Sequence, residues 1–209
     1  MNNIRIKTLV IGMIRTNCYV IENTSLKEAV IIDPADEAGR IITYLQDNDL
    51  VCKSILLTHG HFDHIMAAKN IVNYSGAKIY IHEEEESLAM DPDLNASSYF
   101  RRGYSLSPDI LLKDNQILSL AGFTFKVIHT PGHTVGGVCY YMPDYDALFS
   151  GDTLFHTSIG RFDFPTGNED QLIASIRTRL LILKDETLVY PGHGQNTTIG
   201  FEKENNLYL

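Results

Sequence analysis

His59-Gly60-His61-Phe62-Asp63-His64 packs four metal-donor side chains into six residues, directly after the apolar run Ile55-Leu56-Leu57-Thr58. The pattern of an apolar run ending in a donor recurs three times. Phe125-Lys126-Val127-Ile128 precedes Thr130-Pro131-Gly132-His133, Ala147-Leu148-Phe149-Ser150 precedes Gly151-Asp152, and Leu188-Val189-Tyr190 precedes Pro191-Gly192-His193. Imidazole nitrogen and carboxylate oxygen both bind zinc, and catalytic sites built from them keep a position for water. Strand ends are rigid points from which a sheet can aim several donors at one place. His59 and His61, two apart, share a side in extended chain. Asp63 and His64 fall at the start of a helix, so the cluster can face two ions. Two ions about 3.5–4 Å apart can share a hydroxide and a bridging carboxylate, and Asp152 is placed to be that bridge. Glycines 60, 132, 151 and 192 lie beside these donors and permit the tight turns that aim them.

The elements that must position these residues follow from periodicity. Strands are expected over 4–11, 18–22, 29–32, 53–58 and 78–81, then over 110–112, 116–120, 123–128, 138–141, 147–150 and 187–190. Asp33-Pro34 reads as a helix start, a capping acceptor followed by proline, with Ala38, Ile41, Ile42 and Leu45 at helical spacing behind it. A second helix is expected over 65–74, stopped by Gly76. A third is expected over 169–183 with Asn168 as its cap, and a C-terminal helix near Gly200. The run Glu83-Glu84-Glu85-Glu86 reads as a solvated helix start. Residues 90–108 read as a loop with one helical turn, lying over the site.

Composition bounds the class. The 209 residues fit one domain, 1–209, of mixed α and β structure, with 44% hydrophobic and 21% charged residues. A net charge of −9 argues against a nucleic-acid partner, which needs clustered Lys and Arg. No apolar stretch approaches the roughly 20 residues of a membrane span. Cys18, Cys52 and Cys139 lie far apart and read as buried thiols in a reducing compartment, which points to the cytoplasm.

Thr58-His59-Gly60-His61-Phe62-Asp63-His64 resembles the signature of the metallo-β-lactamase superfamily, and His133, Asp152 and His193 follow in the family's order. The resemblance implies an α+β fold, a four-layer αββα sandwich. It also implies two divalent metal ions, zinc in the first instance, with iron or manganese as alternatives. One ion would be held by His59, His61 and His133, the other by Asp63, His64 and His193, with Asp152 between them. Two stretches, Gly151-Asp152-Thr153-Leu154-Phe155 with Ser158 to Pro165, and Pro191-Gly192-His193-Gly194 with Thr197 to Gly200 and Glu202, resemble the short glyoxalase II-like hydrolases. Gln195 stands where that group usually has proline. The C-terminal helical extension of full-length glyoxalase II, which contacts glutathione, is not expected here.

The expected activity is hydrolysis of a small anionic thioester by a metal-bridging hydroxide, with Asp63 orienting it as a catalytic residue. Arg161 is the candidate for gripping a substrate carboxylate, because its planar fork suits bidentate contact. Tyr99, Arg101 and Arg102 are weaker candidates from the covering loop. His82 and His129 read as structural, His156 as a weak candidate to approach the site four residues after Asp152, and Asn17-Cys18-Tyr19 as a folding element. Two rival readings stand. One is a persulfide dioxygenase-like enzyme with a single iron on His59, His133 and Asp152. The other is a non-catalytic member that uses metal only to hold the fold. β-Lactamase activity is not expected in the absence of an export signal.

Overall fold

The computed structural model describes residues 3–100 and 103–209. The first half runs β1 (Ile4–Ile11), β2 (Thr16–Asn23), β3 (Glu28–Ile32), α1 (Ala38–Asp47), β4 (Val51–Leu56), α2 (Phe62–Ile65), α3 (Ala68–Ser75), β5 (Lys78–His82), α4 (Glu86–Met90) and β6 (Ile110–Leu112). The second runs β7 (Ile117–Leu120), β8 (Phe123–His129), β9 (Val138–Met142), β10 (Ala147–Gly151), β11 (Leu154–Phe155), β12 (Ser158–Ile159), α5 (Glu169–Ser175), β13 (Leu188–Pro191), β14 (Thr197–Thr198) and α6 (Ile199–Asn205). Two six-stranded sheets form, ordered β1-β2-β3-β4-β5-β6 and β14-β13-β10-β9-β8-β7, and β11 with β12 makes a small hairpin.

Side-chain alternation along the strands sorts the apolar residues into three layers of core. On β3, Val30 and Ile32 face the other sheet, while Ala29 and Ile31 face α1 and α3. On β10, Ala147 and Phe149 face inward and Leu148 faces outward. The middle layer joins Tyr19, Ile21 and Leu56 of one sheet to Phe125, Val127, Tyr140 and Phe149 of the other. One outer layer packs Ile41, Leu45, Ala68 and Ile71 on the first sheet. The other packs Leu172, Ile176, Leu180 and Ile199 on the second. Helix, sheet, sheet and helix thus stack as a four-layer αββα sandwich. Strands buried on both faces read as continuous apolar runs rather than alternating ones, as β10 does over its whole length.

Three local expectations are corrected. Asp33-Pro34 does not start a helix, because α1 begins at Ala38 after a left-handed Glu37 with no side-chain cap. Asp33, Ala35 and Glu37 all have φ near +50°, a conformation that costs on the order of 1–3 kcal/mol per non-glycine residue unless the surroundings impose it. What imposes it is the helix expected over 65–74, which is broken into α2 and α3. The Ala35 amide donates to the His64 carbonyl (3.0 Å) and the Ala67 amide donates to the Ala35 carbonyl (2.8 Å). The 33–37 segment thus replaces two rungs of helical hydrogen bonding. The glutamate run is not uniformly solvated either, since Glu85 is fully buried. Two expectations at helix ends hold: Asn168 caps α5 through its side chain, and Gly76 ends α3 in the left-handed conformation.

Candidate metal centre

Among the described residues, three groups of donors converge within 4.8 Å: His59, His61 and His133; Asp63, His64 and His193; and Asp33 with His59 and His64. The first two are the triads that the resemblance implied. Asp152 lies between them. Its Oδ1 is 3.5 Å from His64 Nε2, and its Oδ2 is 3.7 Å from His133 Nε2 and 3.5 Å from His193 Nε2. Asp63 Oδ2 is 3.5 Å from His64 Nε2 and 3.3 Å from His193 Nε2.

Second contacts of the histidine rings point their free lone pairs inward. His64 Nδ1 donates to Asp33 Oδ2 (2.9 Å). Thr58 Oγ1 donates to the same oxygen (2.6 Å) and so accepts from His59 Nδ1 (3.1 Å). His133 Nδ1 donates to the Arg161 carbonyl (2.7 Å). For the neutral rings of His59 and His133 the bond fixes the tautomer and leaves the opposite nitrogen, Nε2, unprotonated, while on His64 it aims Nε2 at Asp63 and Asp152. His59 Nε2, His64 Nε2 and Asp152 Oδ1 are buried without a hydrogen-bond partner. Orphaned buried polar atoms of this kind are costly in a protein interior. His61 Nδ1 and His133 Nε2 lie 3.0 Å apart, the separation of two nitrogens sharing one proton or one cation. The donor set therefore fits divalent cations, and it suggests a binuclear site. Nitrogen and oxygen donors alone do not distinguish zinc from iron or manganese.

Electrostatics separates the clusters. Burial and the neighbouring imidazoles hold His59 and His61 well below the ordinary histidine range, and burial lowers His133. The second cluster is the reverse. Burial disfavours charge on His64, but Asp63, Asp152 and Asp33 outweigh it and push the ring up to about 10. His193 is likewise raised, against burial, by its bond to Asp63 and the field of Asp152. Burial would raise Asp63, yet His64 and His193 hold its carboxyl well below the usual range.

The backbone carries the candidate donors close together. A Cβ on Gly192 would sit 2.1 Å from Asp152 Oδ1, so only glycine lets the His193 turn approach the shared carboxylate. Asn17 Nδ2 donates to the carbonyls of Pro191 and Gly194, and Tyr19 Oη donates to Pro191, which clamps that turn to β2. Thr16 Oγ1 donates to Asp63 Oδ2 (3.0 Å). The Asn17-Cys18-Tyr19 stretch therefore does more than fold the first sheet.

His61 and His133 of one cluster, Asp63 and His193 of the other, and Asp152 floor a cleft of about 560 Å³ walled by Ile14, Phe62, Tyr99, Phe100, Phe155 and Phe164. The covering loop expected over 90–108 supplies Ala96, Tyr99 and Phe100 to that wall, while Arg101 and Arg102 lie outside the described residues. Arg161 also lines the cleft, but its Nε and Nη2 already make a bidentate pair with Asp163. Its guanidinium lies 4.1 Å over the Phe164 ring. His82 stacks on His129 and His156 on Phe201, outside both clusters. Sequence reasoning missed Asp33, Thr16 and Glu85. Asp33 had a usable signal, because it ends the apolar strand β3 as the ligands end theirs.

Residues 11–193 match the model of the metallo-beta-lactamase superfamily. The chain belongs to the metallo-β-lactamase superfamily. It is 38% identical to the hydroxyacylglutathione hydrolase GloC of Haemophilus influenzae, over 98% of this chain and 97% of that protein. Solved structures share its fold, among them the following three. The BLEG-1 B3 metallo-beta-lactamase is 43% identical with a TM-score of 0.94, covering 98% of this chain and 99% of that one. TTHA1623 in a di-iron-bound form is 35% identical with a TM-score of 0.86, covering 97% and 100%. ETHE1 from Myxococcus xanthus is 29% identical with a TM-score of 0.81, covering 97% and 83%. Membership of this superfamily makes the chain a metal-dependent hydrolase in general class. No helix among the described residues is long and apolar enough to cross a membrane.

Proposed function

We propose that the protein is a thioester hydrolase whose site comprises His59, His61 and His133 on one ion, Asp63, His64 and His193 on the other, and Asp152 between them. The observation that carries the hydrolytic reading is the convergence of both triads on one carboxylate at the floor of an open cleft. The thioester is supported by the kinship with GloC over nearly the whole of both chains. When bound, two divalent ions would supply acidified water and a Lewis acid for the substrate carbonyl. Asp63, held as an anion, would orient the attacking water through the carboxylate oxygen that Thr16 does not occupy. A thiolate leaving group needs no protein acid, because a thiol is itself a fair acid. The phenylalanine walls would hold the apolar part of the substrate and limit water. Arg161 would grip a substrate carboxylate with the guanidinium hydrogens that Asp163 leaves free. Zinc is the proposed metal and the cytoplasm the proposed compartment, the latter because all three cysteines are free and buried.

A second reading, persulfide dioxygenation on one iron, draws on the likeness to ETHE1. Metal analysis with parallel assays separates the two. Two ions per chain and turnover of S-lactoylglutathione are the expected result. One iron with oxygen uptake on glutathione persulfide would replace the hydrolase reading. A chromogenic β-lactam belongs in the same panel, given the likeness to a B3 metallo-beta-lactamase.

A further inference from the structure

Glu85 follows β5 in the single turn that leads into α4, and it is fully buried. Its Oε1 accepts from the Gly60 amide at 3.0 Å, and its Oε2 accepts from the Gly136 amide at 2.8 Å. Gly60 lies between His59 and His61, and Gly136 lies three residues beyond His133. One carboxylate thus ties together the two loops that carry all three histidines of the first cluster. The approach is close enough to exclude side chains. A Cβ on Gly136 would meet Glu85 N at 2.4 Å and Glu85 Oε2 at 2.7 Å, and a Cβ on Gly60 would meet the Ala89 backbone at 3.0 Å. Both amides would be buried and unpaired without this carboxylate. Among the described residues, neither of these hydrogen bonds of Glu85 reaches Asp63, His64 or His193.

We propose that Glu85 is a positioning residue for the first metal site, setting the distance between the His59–His61 loop and the His133 loop, and through it that site's affinity. The proposal rests on the two-metal reading above. Glu85→Gln is the informative change, because its amide nitrogen would face one of the two backbone amides donor to donor. The measurement is zinc affinity, by competition with a chromophoric chelator, in two backgrounds. His193→Ala breaks the second cluster, so the remaining binding event reports the first. His61→Ala does the converse. Added to His193→Ala, Glu85→Gln is expected to weaken zinc by about 10–100-fold, the range typical of groups that orient ligands. Added to His61→Ala it should leave affinity within about twofold, with the metal-free circular dichroism spectrum unchanged.

Equal affinity in the His193→Ala background, or equal losses in both, would overturn the proposal. If Glu85→Gln does not fold, Glu85→Asp, which keeps the charge but cannot reach both amides, is measured in the same way. If neither folds, Glu85 serves folding and the positioning role is refuted. A parent protein that binds fewer than two zinc ions would instead refute the two-metal reading, which separates the two failures.

Discussion

The two clusters face one cleft and share Asp152, yet they differ in donor chemistry and exposure. His59, His61 and His133 form an all-nitrogen set, each no more than 5% exposed, with pKa values lowered. Asp63, His64 and His193 include a carboxylate, leave His193 with a quarter of its side chain exposed, and have both histidines raised. The first is neutral before any cation arrives. The second holds protons that a cation must displace. The supports differ too. The first cluster leans on the Glu85 carboxylate and the Arg161 carbonyl, the second on Thr16, Asn17 and Tyr19 of β2. Asp33 serves both, through His64 directly and through Thr58 to His59. The lesson is that one cleft floor can carry a donor cluster packed like a core beside another that keeps His193 partly exposed.

Replacing Asp33 should erase the contrast with the largest effect. Asp33→Asn removes the acceptor that orients both rings, so metal affinity is expected to fall about 10–100-fold at both clusters. Chelator competition measures it, and loss at one cluster only would deny the shared role. pH should sharpen the contrast next. The histidines of the second cluster are raised, so they are protonated below those raised values and must lose protons to bind a cation. Affinity there should fall by about tenfold per pH unit for each proton displaced between about pH 9 and pH 6. The first cluster, with lowered histidines already neutral in that range, should stay flat. Calorimetric titrations in buffers of different ionisation enthalpy would count the protons released.

Thr16→Val removes the hydroxyl on Asp63 and should weaken only the second cluster, by about tenfold, as metal content after dialysis would show. Arg161→Ala should do least, because the side chain is 63% exposed and already paired with Asp163. An increase in KM for an anionic thioester of about threefold to tenfold, with kcat unchanged, is the expected pattern.

Much of this was legible in the residues themselves. The candidate donors stand at the ends of largely buried strands, so apolar runs ending in His or Asp marked both the sheets and the donor clusters. The supports were less visible. Asp33 ends such a run too, but Asp-Pro ahead of helical periodicity matches a helix cap equally well. Only the Ala35 backbone bonds that divide α2 from α3 decide between the two. Glu85 sits in a run of four glutamates, where sequence carries no sign that one is enclosed. The Arg161 fork looked free because its partner, Asp163, is two residues away and no periodicity reveals that they meet.

The most direct test of the central claim is the metal count of the purified, reconstituted protein beside His61→Ala and His193→Ala. Two ions per chain, falling to one in each variant at stoichiometric metal, is the expected result. One ion per chain that survives His193→Ala unchanged would contradict the two-cluster account.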